Sequence, residues 1–380
     1  MSSPAELAVD RAYIAETRAR ILAMKHSIAS LQAEMIPAQE RLDSYVYPVL
    51  SLPNEIIYEI FGHFIPPYPL CPPFTGLLSP MVLTHICHRW REIALAMPSL
   101  WRAIELEDHA DDDPIFEAVE CWLDRSRGLP LSICQTCYTE AFADKCEEIL
   151  ALHSARWEHV NLRLYNLSHR AIVTHAMPLI RQLEIRVDSI DESPPVSYRD
   201  MPRLRSVTLW DFHYPAGFLP WSQLTSLTLV CKPFAECADV LRDTVNLIHC
   251  ELAICGLSDR QPDVRLEHLQ SLALMPFDLL SWLDTEETTQ SLNTLITPAL
   301  RMLQVSNDLL VPHPIETLST FISKAGCRLD SVHITGSRSV SKRSYRAAFP
   351  SIKIISFEKK NFHYSDLYSG YVRGVLVFQT

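Results

Sequence analysis

LRSVTL, Leu204 to Leu209, has apolar residues at its first, fourth and sixth positions, and the same phrase recurs along the chain. It returns as LTSLTL from Leu224, LIHCEL from Leu247, LQSLAL from Leu269, LRMLQV from Leu300 and LDSVHI from Leu329. Looser copies are WEHVNL from Trp157, IRQLEI from Ile180 and IKIISF from Ile352, and WRAIEL from Trp101 reads as a first member. From Trp157 to Ile352 the starts are 23, 24, 20, 23, 22, 31, 29 and 23 residues apart. Alternation at the end of each phrase turns one face of a short strand toward a core, and one such strand cannot bury that face without neighbours. The period therefore predicts an array of stacked strand units.

Between the phrases lie helical patches. Ile115, Val119, Trp122 and Leu123 follow an Asp113-Pro114 start, and Leu318, Phe321 and Ile322 precede Gly326. Residues 102–380 accordingly read as an α/β strand-and-helix solenoid; the competing reading is an ordinary α/β domain with evenly spaced strands. If Val207 and Leu209 point inward, the pleat turns Ser206, Thr208 and Trp210 outward. The same register turns His159, Asn161, Arg163, Glu184, Arg186, Thr228, Glu251, Gln304 and His333 outward, a surface on which a partner protein could be held. Trp210 is the natural anchor there if it stands in solvent, although a Trp in this position can also tuck beneath a loop.

The bulk numbers narrow the function. The chain has 380 residues, 48% of them hydrophobic, with 34 basic against 45 acidic side chains and a formal charge of −11. A chain this long forms more than one structural unit. The acidic balance argues against a nucleic-acid surface, which rests on clustered Lys and Arg. No stretch is long and apolar enough for a bilayer span, and Glu6 and Asp10 occupy the place of a signal peptide's basic-then-apolar pattern, so the expectation is an intracellular protein, cytoplasmic or nuclear. Eleven irregularly spaced cysteines suit reduced thiols better than a disulfide framework.

Residues 1–49 carry a different period. Ile14, Ile21, Ile28, Met35, Leu42 and Val49 mark one heptad position, and Thr17, Met24, Leu31, Ala38 and Tyr45 the other. Two readings stay open for this helix: it folds back on its own chain, or it forms a homodimer through residues 14–49, for which Ile at one position and Met or Leu at the other suit a parallel pair. Pro37 removes an amide and predicts a kink or break near Met35.

Residues 50–101 read as a small helical unit. In LPNEIIYEIF, Leu52 to Phe61, the residues Ile56, Ile57, Ile60 and Phe61 share a helical face behind Pro53. A loop punctuated by Pro66, Pro67, Pro69, Pro72, Pro73 and Pro80 follows. A second helical pattern starts near Met81, with Val82, Leu83, Ile86, Trp90, Ile93 and Ala94 at three- and four-residue steps, and stops before Pro98. The plain reading is a helical pair that caps the domain behind it.

Together, LPNEIIYEIF and LTHICHRWREIALAMPSLW, Leu83 to Trp101, resemble the F-box, the helical module by which substrate receptors dock onto the Skp adaptor of SCF-type ubiquitin ligases. The resemblance covers about fifty residues, and both halves occur in order. It implies that Leu52, Pro53, Ile56, Ile57, Ile60 and Phe61 open the Skp-binding surface, with Leu83, Ile86, Cys87, Trp90, Arg91, Ile93 and Trp101 completing it. The long proline-rich insertion departs from the family pattern. A heptad helix ahead of the module is similar to F-box proteins of mushroom-forming fungi. The repeat region resembles the leucine-rich-repeat class of F-box receptors, without the Asn that usually closes the repeat. The partners implied are a Skp-type adaptor, through it a cullin scaffold, and an unidentified target protein.

Catalytic chemistry finds no foothold. No Gly precedes a Lys and no two Gly stand two apart, so P-loop and dinucleotide fingerprints are missing, as are HExxH and GxSxG. Cys134 and Cys137 form a single CxxC with Cys146 and His153 downstream, and His85 and His88 lie a turn apart; neither set supplies a four-ligand site at workable spacing. The run EDHADDDP, Glu107 to Pro114, lacks the spaced ligands and central Gly of a calcium loop and reads as a solvated turn. Asn166 and Ser168 match a glycosylation sequon at chance level. The expectation is a non-enzyme without cofactor or metal.

Overall fold

A computed structural model describes residues 4–44, 48–107, 113–136, 139–164, 175–187, 200–210, 219–254, 261–277, 292–337 and 340–358. Tyr45, Cys137, the sequon at Asn166 and most of the acidic run after Glu107 lie outside these residues. The chain forms two compact units, Met1–Tyr58 and Glu59–Thr380. No described helix is long and apolar enough to cross a membrane.

In the first unit, helix α1 spans Pro4–Ser44, followed by a short 3-10 turn at Pro48–Ser51. The break expected near Met35 does not occur, because the helix runs through Pro37. That proline removes the amide that would bond the carbonyl of Ala33. Ala33 is exposed, so water can take the vacant acceptor. Ile14, Ile21, Ile28, Met35 and Leu42 are all exposed along the helix. So are Val9, Leu22 and Ile36, which lie off that stripe. Helix α2, Asn54–Phe64, contains the boundary between the units. Pro53 stands one place ahead of it and lends its carbonyl to the amide of Ile57 at 3.2 Å, which starts the hydrogen-bond ladder.

The second unit is built on a parallel sheet, eleven-stranded among the described residues, in the order β1-β2-β3-β4-β5-β6-β7-β9-β11-β12-β13. The strands are β1 (Ala103–Glu107), β2 (Leu131–Thr136), β3 (Trp157–Leu164), β4 (Gln182–Val187), β5 (Ser206–Trp210) and β6 (Ser226–Lys232). They continue with β7 (His249–Ile254), β8 (Val264–Arg265), β9 (Ser271–Pro276), β10 (Leu295–Ile296), β11 (Met302–Ser306), β12 (Ser331–Thr335) and β13 (Ile354–Glu358). The short strands β8 and β10 pair separately. Every phrase of the repeat leads into a strand of the large sheet, and each strand pairs with its sequence neighbours in that sheet, so the order follows from the repeat.

The core face is the one the alternation predicts. Val207 and Leu209 pair with Leu227 and Leu229, and all four are buried. The leading residues Ile180, Leu204, Leu224, Leu269 and Leu300 are fully buried below the strand starts. Each amide there bonds the carbonyl three residues earlier, on Met177, Met201, Trp221, Leu266 and Thr297 respectively. This tight turn adds an inward position that the six-residue phrase omits, filled by buried Met177, Met201, Trp221 and Leu266. Strand β2 was absent from the phrase. Its inward positions are Ile133 and Gln135, register partners of Ile104 and Leu106, and the polar Gln135 breaks the apolar pattern.

Helices connect several strands: α5 (Asp113–Arg125), α6 (Glu140–Ala151), α7 (Phe234–Asp243), α8 (Pro314–Ala325) and α9 (Lys342–Ala348). In α8 Leu318 and Phe321 are buried and Gly326 closes the helix at φ +65°, donating to the carbonyl of Ile322.

Candidate functional site

Two regions hold the candidate residues. In α2 the four apolar positions lie on one broad side of the helix, and burial divides it. Ile57 and Phe61 are buried, one turn apart, whereas Ile56 and Ile60, also one turn apart, are exposed. Helical spacing puts i and i+4 together, so within that face a buried stripe and an exposed stripe run side by side. The ring of Phe61 meets Trp90 edge-on at 5.0 Å.

The second half of the motif is two helices, not one. Helix α3, Leu83–Ile86, ends at Cys87, whose φ of −159° and ψ of 168° are extended, and α4 runs His88–Ala96. The Sγ of Cys87 accepts from the amide of Trp90 at 3.4 Å, acting as the cap of α4. The end of α3 strands the carbonyl of Thr84, and the Nε of Arg91 donates to it at 2.7 Å. Cys87 and Arg91 thus have structural tasks at the joint. Leu83, Trp90, Ile93 and Trp101 are buried, and the indole of Trp101 donates to the Ala94 carbonyl at 2.8 Å and meets Trp122 edge-on at 5.0 Å. Ile86 is exposed. The sequence reading missed Leu77 and Leu78, which are 85% and 67% exposed in the loop ahead of α3 beside the φ +86° of Gly76. Their signal was an apolar pair next to a loop glycine.

The proline-rich loop has a definite seat on the sheet face opposite the core. Pro73 bridges to Glu105 of β1. Ser132 of β2 donates to the Pro69 carbonyl at 2.5 Å, and the Sγ of Cys71 lies 3.5 Å from the Ser132 carbonyl. Tyr68 donates to Glu158 at 2.9 Å, stands edge-on to His159 at 5.4 Å, and carries the Arg102 guanidinium 3.5 Å over its ring. Arg102 and Arg181 both pair with Glu158, at 3.5 and 3.0 Å. Burial pushes the Tyr68 phenol well above its usual value and the Cys71 thiol up to about 11, and it raises Cys134 too. Poorly ionised thiols are poor nucleophiles. Cys71, Cys87, Cys121, Cys134, Cys250 and Cys327 form no disulfide.

Beyond the loop, register places the outward residues in rows. One row runs Asn161, Glu184, Thr208, Thr228, Glu251, Ala273, Gln304 and His333 across consecutive strands. His159 begins the row below and is held by Tyr68 and by Gln182 at 3.4 Å, with burial lowering its pKa. The row above holds Arg163, Arg186, Trp210, Val230, Ala253 and Met275.

Trp210 does not stand in solvent: it is 3% exposed and clusters with Val230, Ala253 and Phe277. Its indole donates to Glu184 at 3.0 Å, and the Arg186 guanidinium lies 5.5 Å over its ring. Apolar residues at the third outward position of β5, β6 and β7 build this cluster, a pattern visible in VTLW, LTLV and ELA. Glu251 sits mid-row, and burial alone raises its pKa. Gln304 donates toward the Sδ of Met275 at 3.9 Å, and His333 is held by Ser356 at 2.6 Å and Glu358 at 3.3 Å. Among the described residues no group of three or more His, Cys, Asp and Glu is placed to hold a metal. No protein family and no curated protein matches the sequence.

Proposed function

We propose that the chain is a non-catalytic substrate receptor of an SCF-type ubiquitin ligase. Its F-box-like segment, residues 50–101, docks a Skp-type adaptor and through it a cullin scaffold, inside the cell. The parallel sheet is read as a degenerate leucine-rich-repeat solenoid whose outward rows hold a target protein. The observation that carries the reading is the ordered pair of motifs whose Ile56, Ile60 and Ile86 stay at the surface, apolar and exposed. Apolar side chains seated in a partner's groove are the usual currency of helix recognition. The function needs no catalytic residue: holding a target beside a charged ubiquitin carrier raises the effective concentration of its lysines.

A second reading is a scaffold that self-associates through α1 and binds partners without ubiquitin chemistry, favoured by the exposed heptad stripe of that helix. The test is capture of a purified Skp-type adaptor by the full chain. The expected result is a stable complex that is lost in Leu52→Ala/Pro53→Ala and in Ile86→Asp, each with unchanged circular dichroism. Failure of the unaltered chain to bind, or undiminished capture by the variants, overturns the receptor reading.

A further inference from the structure

We infer that α1 forms an antiparallel two-stranded coiled coil with a second copy of this chain, centred between residues 24 and 28. The inference stands apart from the ubiquitin reading and rests on α1 alone. The helix begins at Pro4, which brings Leu7 and Asp10 into the heptad frame of the later seam. Leu7, Ile14, Ile21, Ile28, Met35 and Leu42 then repeat every seven residues, all exposed. A strict seven-residue repeat follows a left-handed supercoil and keeps its seam against a partner helix.

Charge decides the polarity. In a parallel pair, Asp10 would face its own copy in the core, and Arg20 would approach Lys25 of the second copy twice over. In the antiparallel pair each seam residue meets one of the opposite heptad class. With Ile28 across from Met24, Ile21 falls opposite Leu31, Ile14 opposite Ala38 and Met35 opposite Thr17, so large residues meet small ones in the outer layers. Asp10 moves to the last layer, opposite Leu42. Arg20 now flanks Glu34 of the second copy at two symmetric places, against one Lys25 to Lys25 approach on the axis. Sliding by one heptad one way sets Arg18 against Lys25 at two places, and sliding the other way shortens the overlap and sets Arg20 against Arg41, so this register is the favoured one.

Sedimentation equilibrium of the full chain tests it, with a dimer as the expected result. Arg20→Glu distinguishes the polarities by sign: it sets Glu against Glu34 in the antiparallel coil, loosening the dimer roughly tenfold, but would set Glu against Lys25 and tighten a parallel one. The double change Arg20→Glu/Glu34→Arg restores the affinity. Ile21→Asp/Ile28→Asp yields monomers whose sheet signal in circular dichroism is unchanged. A monomer at 100 µM, a different stoichiometry, tightening by Arg20→Glu, or a dimer that survives the Asp pair each overturns the inference.

Discussion

Glu251 shows what a single position can carry. It lies between Thr228 and Ala273 in its row, with the core below, and burial raises its pKa above the ordinary 4.5. The folded state therefore holds its proton to higher pH than the unfolded state does. Stability from this group is full below its unfolded pKa and is lost as pH rises through the folded value. Glu251→Gln is expected to raise stability at pH 7 and to flatten the decline of stability above pH 4.5, measured by urea unfolding across pH. An unchanged pH profile would show that the carboxylate is solvated. Trp210 and His159 teach the complementary point: the alternation placed both outward, yet a cluster and a tyrosine cover them. Alternation assigns a face, and burial of that face depends on what packs over it.

At the scale of elements, the joint between α3 and α4 is held by two side chains, Cys87 and Arg91. Cys87→Ala removes the acceptor for the Trp90 amide and is expected to cost about 1 kcal/mol, whereas Cys87→Ser, a stronger cap, keeps or improves stability. Thermal unfolding of the two variants reads the difference, and equal losses would mean that the sulfur serves packing rather than capping. The helical period from Met81 to Ala94 was visible, but the break was not, because Cys87 fits the apolar spacing of a continuous helix. Likewise Pro37 in α1 predicted an interruption that an exposed helix tolerates.

At the scale of the molecule, the sheet grows strand by strand, so each strand's partners in it are its sequence neighbours. If the strand units stack as a repeat array, stability is close to a sum of local and neighbour terms. Leu229, fully buried in β6, is the test position. Leu229→Ala is expected to cost about 2–5 kcal/mol. Hydrogen exchange should accelerate in β5, β6 and β7 while β12 and β13 stay protected, and a uniform acceleration would instead mark one cooperative unit.

By itself the sequence determined the repeat, the core face of its strands and the heptad stripe of α1, because these follow from periods of two, three to four, and seven residues; it did not reveal β2, where Gln135 breaks the apolar pattern. It did hold the paired motifs on which the receptor reading rests. Tertiary structure alone decided that the proline-rich loop lies over β1, β2 and β3, that the apolar side of α2 divides into a buried and an exposed stripe, and that Trp210 is enclosed. Those outcomes depend on contacts between segments distant in the chain, such as Tyr68 on His159 and Pro69 on Ser132, and no local period encodes which distant surface a loop will cover.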